Sequence, residues 1–152
     1  MTELWVDKFA IQELIYRYTD ALNREAWDEF EATFAPDATW EIGAPAPLRA
    51  EGARGIREAI AERVTPLELL TQIAMNPVVD VDADGERAVA HTTIEEWARL
   101  PEVFSMRLRG IYRDELRRID GAWRFQSRLM QTVYVDYSPL AGRVLTARTD
   151  LS

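Results

Sequence analysis

Between Ile11 and Ile42 (IQELIYRYTDALNREAWDEFEATFAPDATWEI) the spacing of apolar residues changes twice, and each change marks a new element. Ile11, Leu14, Ile15, Tyr18 and Leu22 recur at helical spacing and predict an amphipathic helix with one apolar face. Trp27, Phe30 and Phe34 continue the period and predict a shorter second helix, which Pro36-Asp37 stops. Ala38 to Ile42 then turns to β-type residues and predicts a strand. Trp5, ahead of the first helical stripe, is expected to pack. Gly43 to Leu48 is rich in proline and predicts a loop without regular structure. Ile56, Ile60 and Val64 form one stripe of a third helix over 55–64.

From Leu69 the period becomes two. Strands are expected over 71–81 (interrupted by Pro77), 87–97, 104–118 and 123–134, with hairpin turns at Asp84-Gly85 and Asp120-Gly121. The tail from Asp136 predicts loop and a frayed end. Helices come first and an antiparallel meander follows, so the class is α+β, in one domain over 1–152. A long amphipathic helix needs a concave apolar partner, and the β-rich half supplies one. The expected architecture is a curved sheet closed over by the first helix, with a pocket between them.

Alternation sorts the strand residues by face. Met106, Leu108, Gly110, Tyr112 and Leu116 share one side; Arg107, Arg109, Arg113 and Arg117 share the other, read as a solvated or subunit-facing surface. In the last strand Trp123 and Phe125 take the core face. Simple alternation then turns Arg128 and Met130 outward, unless a bulge shifts the register; bulges often re-aim side chains beside active sites. An inward Arg128 needs an anion, with Asp20, Glu41, Glu95 or Asp136 as candidate partners. His91, the single histidine, is placed outward by Ala88, Ala90, Thr92 and Ile94 on the inner face; a slip of one residue would bring it inside, with Asp20 and Glu95 as alternative bases.

Composition narrows the chemistry. A net charge of -8 and a pI of about 4.7 set aside nucleic acid and acidic membranes as partners. The absence of cysteine excludes disulfides and thiolate chemistry, and Lys8, the single lysine, argues against a Schiff base. No metal-ligand spacing, phosphate loop or dinucleotide fingerprint appears, so neither metal nor cofactor is expected. The first residues, MTELWVDKFAIQ, lack the basic and apolar regions of a secretory leader, which leaves a cytoplasmic location as the expectation.

The segments AIQELIYRYTDALN, FAPDATWEI, GIYRDELRRIDGAWRF and YSPLAG carry a resemblance spanning nearly the whole chain, in order. It resembles the SnoaL-like branch of the nuclear transport factor 2-like superfamily, which includes polyketide cyclases, dehydratases and hexachlorocyclohexane dehydrochlorinase. The resemblance implies a cone-shaped fold, a small-molecule substrate and a homodimer or homotrimer. It also implies a site: Tyr18 at the family's polar helix position, Asn23 at its aspartate, Gln72 at its histidine, Arg128 at its arginine and Trp40 at its strand tryptophan. Met75, Tyr112 and Met130 complete the expected substrate-binding set.

Two of these positions depart from the pattern. An imidazole oriented by a carboxylate accepts a proton near neutral pH; Gln72 and Asn23 cannot. Their amides can pair with each other or hold a substrate carbonyl and hydroxyl. The departure argues against dehydrochlorination or base-first dehydration by the familiar route. Local readings stand beside the site ones: Tyr18 as a core aromatic, Asn23 as the cap of the second helix, Gln72 as an ordinary strand residue and Arg128 in a surface ion pair. The functional expectation is a cofactor-independent lyase, isomerase or cyclase acting on a small apolar oxygenated molecule. The alternatives are a binding protein that has lost catalysis, and a structural dimerisation partner with a filled core.

Overall fold

The computed structural model describes residues 2–151. Helix α1 (Thr2–Arg24) and the short α2 (Trp27–Glu31) lead into β1 (Phe34–Ile42), β2 (Leu48–Glu51) and α3 (Ala53–Val64). Strands β3 (Leu69–Val81), β4 (Arg87–Leu100), β5 (Phe104–Ile119) and β6 (Ala122–Asp136) follow, with a 3-10 turn over Arg148–Asp150. One six-stranded mixed sheet runs β2-β1-β6-β5-β4-β3. Only β1 against β6 is parallel; every other neighbouring pair is antiparallel. The expected α+β architecture, helices over an open curved sheet, is what the chain adopts.

Ile11, Leu14, Ile15, Tyr18, Ala21 and Leu22 are the buried face of α1, and they meet the inner face of the sheet. The helix ends in a Schellman motif: Glu25 takes a left-handed conformation (φ 57°), the Ala26 N–H reaches Ala21 C=O at 2.9 Å, and the Glu25 N–H reaches Leu22 C=O at 3.3 Å. Trp5 does not pack inward. It is exposed and lies 6.4 Å from the Phe9 ring.

Three other boundaries differ from the pattern reading. Phe34 belongs to β1 rather than the second helix, because parallel pairing opens at Phe34 opposite Phe125. Pro36 and Asp37 are exposed within an irregular stretch of β1, where a missing N–H is tolerated. The short strand β2 follows the proline loop and pairs its four residues with β1. The tail is tied down: Leu140 and Arg148 are buried, and the Arg99 Nη1 donates to the carbonyls of Leu140 (2.5 Å) and Gly142 (2.8 Å).

Candidate functional site

The register between β5 and β6 decides where Arg128 points. Leu116 pairs with Phe125, but Glu115 pairs with Ser127, so Gln126 is an extra residue in β6. This bulge reverses the parity of the strand after Phe125, and both Phe125 and Arg128 face the interior. Arg128 is 1% exposed.

Its anion is Asp114, directly opposite in register on the inner face of β5. Arg128 Nε donates to Asp114 Oδ1 at 2.8 Å and Nη2 donates to Oδ2 at 3.0 Å, a two-pronged pair. None of the four partners expected from sequence serves. Asp20 pairs with Arg24, Glu41 with Arg49, Glu95 with Arg109 and Asp136 with Arg107, all at the surface. The reason is parity: Asp114 lies on the same face as Tyr112 and Leu116.

The guanidinium sits in an aromatic cage, 4.1 Å from the Tyr18 ring centroid, 3.8 Å from Tyr112 and 4.1 Å from Phe125. The Tyr18 and Tyr112 hydroxyls share a hydrogen bond of 3.1 Å. Burial raises both phenol pKa values, and the Arg128 charge opposes the rise. Both phenols therefore stay protonated, and one donates to the other in their shared bond. Trp40, opposite Arg128 on β1, is buried with its indole N–H beside the Tyr18 hydroxyl. Met130 is buried over Gly110; a Cβ at that glycine would lie 2.9 Å from the movable Met130 Sδ and 3.1 Å from the fixed Gln131 carbonyl, a close approach that favours glycine.

The second half of the site joins α1 to the sheet edge. Asn23 does not cap α2, whose N-cap is Ala26. Its Oδ1 accepts from the Gln72 N–H at 2.7 Å and its Nδ2 donates to the Gln72 C=O at 2.8 Å. One amide thus closes the outward-facing backbone of edge strand β3, as a single residue of a further strand would. An aspartate cannot do this, because it has no donor. Gln72 is buried, and its Nε2 donates to Glu96 Oε2 at 2.7 Å. Burial raises the Glu96 pKa, against the opposing pull of Gln72 and of the Arg148 charge.

Glu96 opens onto a cavity of about 490 Å³. Its apolar wall includes Leu70, Ala98, Phe104, Met106, Leu108 and Tyr137, and Arg63 is the other charged residue there. Of the expected site, Tyr18, Trp40, Tyr112, Arg128 and Met130 gather deep on the inner face, while Asn23 and Gln72 sit behind Glu96; none of them lines this cavity. Met75 shares a face with the exposed Ile73, opposite to Gln72, and points away from the interior. His91 is exposed, as alternation predicts. Among the described residues no group of His, Asp or Glu side chains is arranged to hold a metal ion.

Asp114 and Glu96 are the residues that reading the sequence missed. Both lie on the inner faces already traced by alternation, two residues beyond Tyr112 and Ile94. The signal was present, but the charged residues were passed over among apolar neighbours.

A family model described as a SnoaL-like domain matches residues 5–129. No curated protein matches the chain significantly. Among solved structures, a type 2 hexachlorocyclohexane dehydrochlorinase superposes with a TM-score of 0.83 at 16% identity, over 94% of this chain and 96% of that one. The type 3 enzyme from Novosphingobium barchaimii LL02 gives 0.80 at 18%, over 95% and 97%. A scytalone dehydratase-like protein from Novosphingobium aromaticivorans DSM 12444 gives 0.79 at 21%, over 97% and 95%. At these identities the likeness is one of fold.

Proposed function

The chain belongs to the SnoaL-like domain family, and from that premise we propose that it is a cofactor-independent lyase, isomerase or cyclase. Its substrate is a small, largely apolar, oxygenated molecule held inside the cone. One observation carries the reading: an apolar cavity of about 490 Å³ opens beside Glu96, and elsewhere on the inner face of the sheet Gln72 Oε1, Thr92 Oγ1 and Arg128 Nη1 have no hydrogen-bond partner in the protein. Buried polar atoms are nearly always paired, and a ligand's oxygens are the complement that such a mixed set of donors and acceptors fits. In this reading Tyr18, Trp40 and Arg128 offer donors to a developing oxyanion, and a low-dielectric setting strengthens them. Gln72 positions a substrate hydroxyl through its free Oε1, with Tyr112 and Met130 shaping the floor.

A binding protein without turnover is the second reading. It is favoured by Asn23, whose side-chain polar atoms are both committed to the Gln72 backbone. The proposal includes a cytoplasmic setting and a homodimer or homotrimer assembled through the outer face of the sheet. Among the described residues no helix is long and apolar enough to cross a membrane.

Native mass spectrometry of the purified protein tests these readings together. The expected result is an oligomer carrying a small molecule that is consumed or altered on incubation. A molecule released unchanged favours the binding protein. A protein that retains nothing and takes up no apolar oxygenated compound contradicts both.

A further inference from the structure

Resting on the reading of the cone as a substrate site, we infer that Glu96 is its general base and that Gln72, pinned by Asn23, is the residue that positions it. Neither residue type is the proton acceptor that the resemblance leads one to expect at this site. The inference starts from geometry. Glu96 is the acidic side chain in the wall of the apolar cavity. Gln72 Nε2 holds its Oε2 at 2.7 Å, and Oε1 takes no part in that bond on a side chain that lines the cavity. Gln72 in turn is fixed at both backbone polar atoms by Asn23. The two amides where relatives are expected to hold a histidine and an aspartate therefore form a rigid mount for a carboxylate on the next strand.

The chemistry is proton abstraction from a carbon beside an electron-withdrawing group. Glu96 Oε1 takes the proton, and the C–H electron pair becomes the new π bond. In an elimination, the leaving group departs with its own bonding pair, and the protonated carboxyl then returns the proton to a leaving oxygen, giving water. In an isomerisation, the carboxyl returns the proton to another carbon of the same molecule. The ionisable or charged groups around Glu96 are Arg148 from the C-terminal turn, Arg63 of α3 and Tyr137 at the cavity wall, Tyr18 of α1 and Tyr112 of β5. Burial outweighs the nearby cation in setting its proton affinity, so the carboxylate is a stronger base than one in water.

The test uses 5-nitrobenzisoxazole, a flat apolar probe. Loss of its C3 proton to a carboxylate breaks the ring N–O bond and releases a coloured cyanonitrophenolate. We expect turnover whose rate rises with pH through a midpoint above the ordinary carboxylate range. Glu96→Gln should lower the rate by about 10²–10⁴-fold. Glu95→Gln, on the outer face, should leave it unchanged. Asn23→Asp should lower the rate and move the midpoint while the protein stays folded. Folding of Glu96→Gln is checked by its thermal midpoint. Because the folded-state pKa is raised, the stability linked to this group is present below the unfolded value and lost as pH rises through the folded one. The variant should therefore be at least as stable as the parent at neutral pH.

Probe binding is read separately, by quenching of tryptophan fluorescence. Binding with turnover that Glu96→Gln leaves intact, or with a rate flat in pH, overturns the assignment of the base alone. No binding by the parent protein overturns the cavity reading and the base together.

Discussion

Replacing Asp114 with alanine will destabilise the protein by about 3–5 kcal/mol, the range for removing one partner of a buried ion pair. The pair is fully enclosed, with side-chain exposures of 1% for Arg128 and 0% for Asp114. Without Asp114 the guanidinium keeps its charge, since arginine does not deprotonate in proteins. The faces of Tyr18, Tyr112 and Phe125 offset only part of that cost. Asp114→Asn should also destabilise, because it keeps an acceptor but not the countercharge. The double change Asp114→Leu with Arg128→Met should recover most of the loss, since it removes both charges together. Urea unfolding of the three variants checks this. A loss below about 1 kcal/mol for Asp114→Ala, the range of an exposed pair, would contradict the description of the cone floor.

Arg148→Ala should cost about 2–4 kcal/mol and release the tail. The guanidinium donates to the Leu22 and Val64 carbonyls at 3.0 Å and to the Asn23 carbonyl at 3.4 Å, and it pairs with Glu25 at 3.4 Å. It thus closes the C-terminal ends of α1 and α3 with one planar fork, where a positive charge also meets the negative end of each helix. Removing it leaves buried carbonyls without this partner, and hydrogen bonds to a charged group contribute about 1.5–3 kcal/mol each, though not additively. Arg148→Lys should rescue little, because an ammonium cannot span the same acceptors. Hydrogen exchange over residues 137–151 and at the end of α1 should quicken in both variants. Unchanged exchange there would show that Leu140 and the Arg99 contacts hold the tail unaided.

The physics of periodicity explains what the bare chain disclosed. The long α1, the α3 stripe and the four long strands were legible because each repeats a period over many residues. The hairpins were legible because the special backbone conformations at Asp120, Gly121 and Gly85 are ones that these residue types favour. Strand β2 was hidden because four residues carry too little periodicity. Phe34 misled because its neighbours Trp27 and Phe30 extend a helical spacing, while the force that places it in β1 is pairing with a strand some ninety residues away. The bulge at Gln126 was legible only as an alternative, since apolar and charged residues alike fit either face until the register is set.

The site shows the same division. Simple alternation of β6 turned Arg128 outward, and its interior position was legible only through the resemblance and the alternative of a bulge, which the register at Gln126 supplies. Its partner was not legible, because a carboxylate among apolar residues is discounted until the opposing cation is placed across from it. Glu96 was hidden in the same way, one strand further along. Asn23 misled for a different reason: a polar residue between two helices has the local signature of a cap, whereas its contacts are with a strand far off in sequence. Tertiary pairing of polar groups leaves no period in the chain.

The central claim is that the apolar cavity beside Glu96 is where a small molecule binds. The most direct measurement is a crystal structure of the protein soaked with 5-nitrobenzisoxazole. The account predicts density for the flat ring among Leu70, Phe104 and Leu108, with its C3 edge turned to Glu96. A probe seated elsewhere, or side chains filling the cavity, would contradict it.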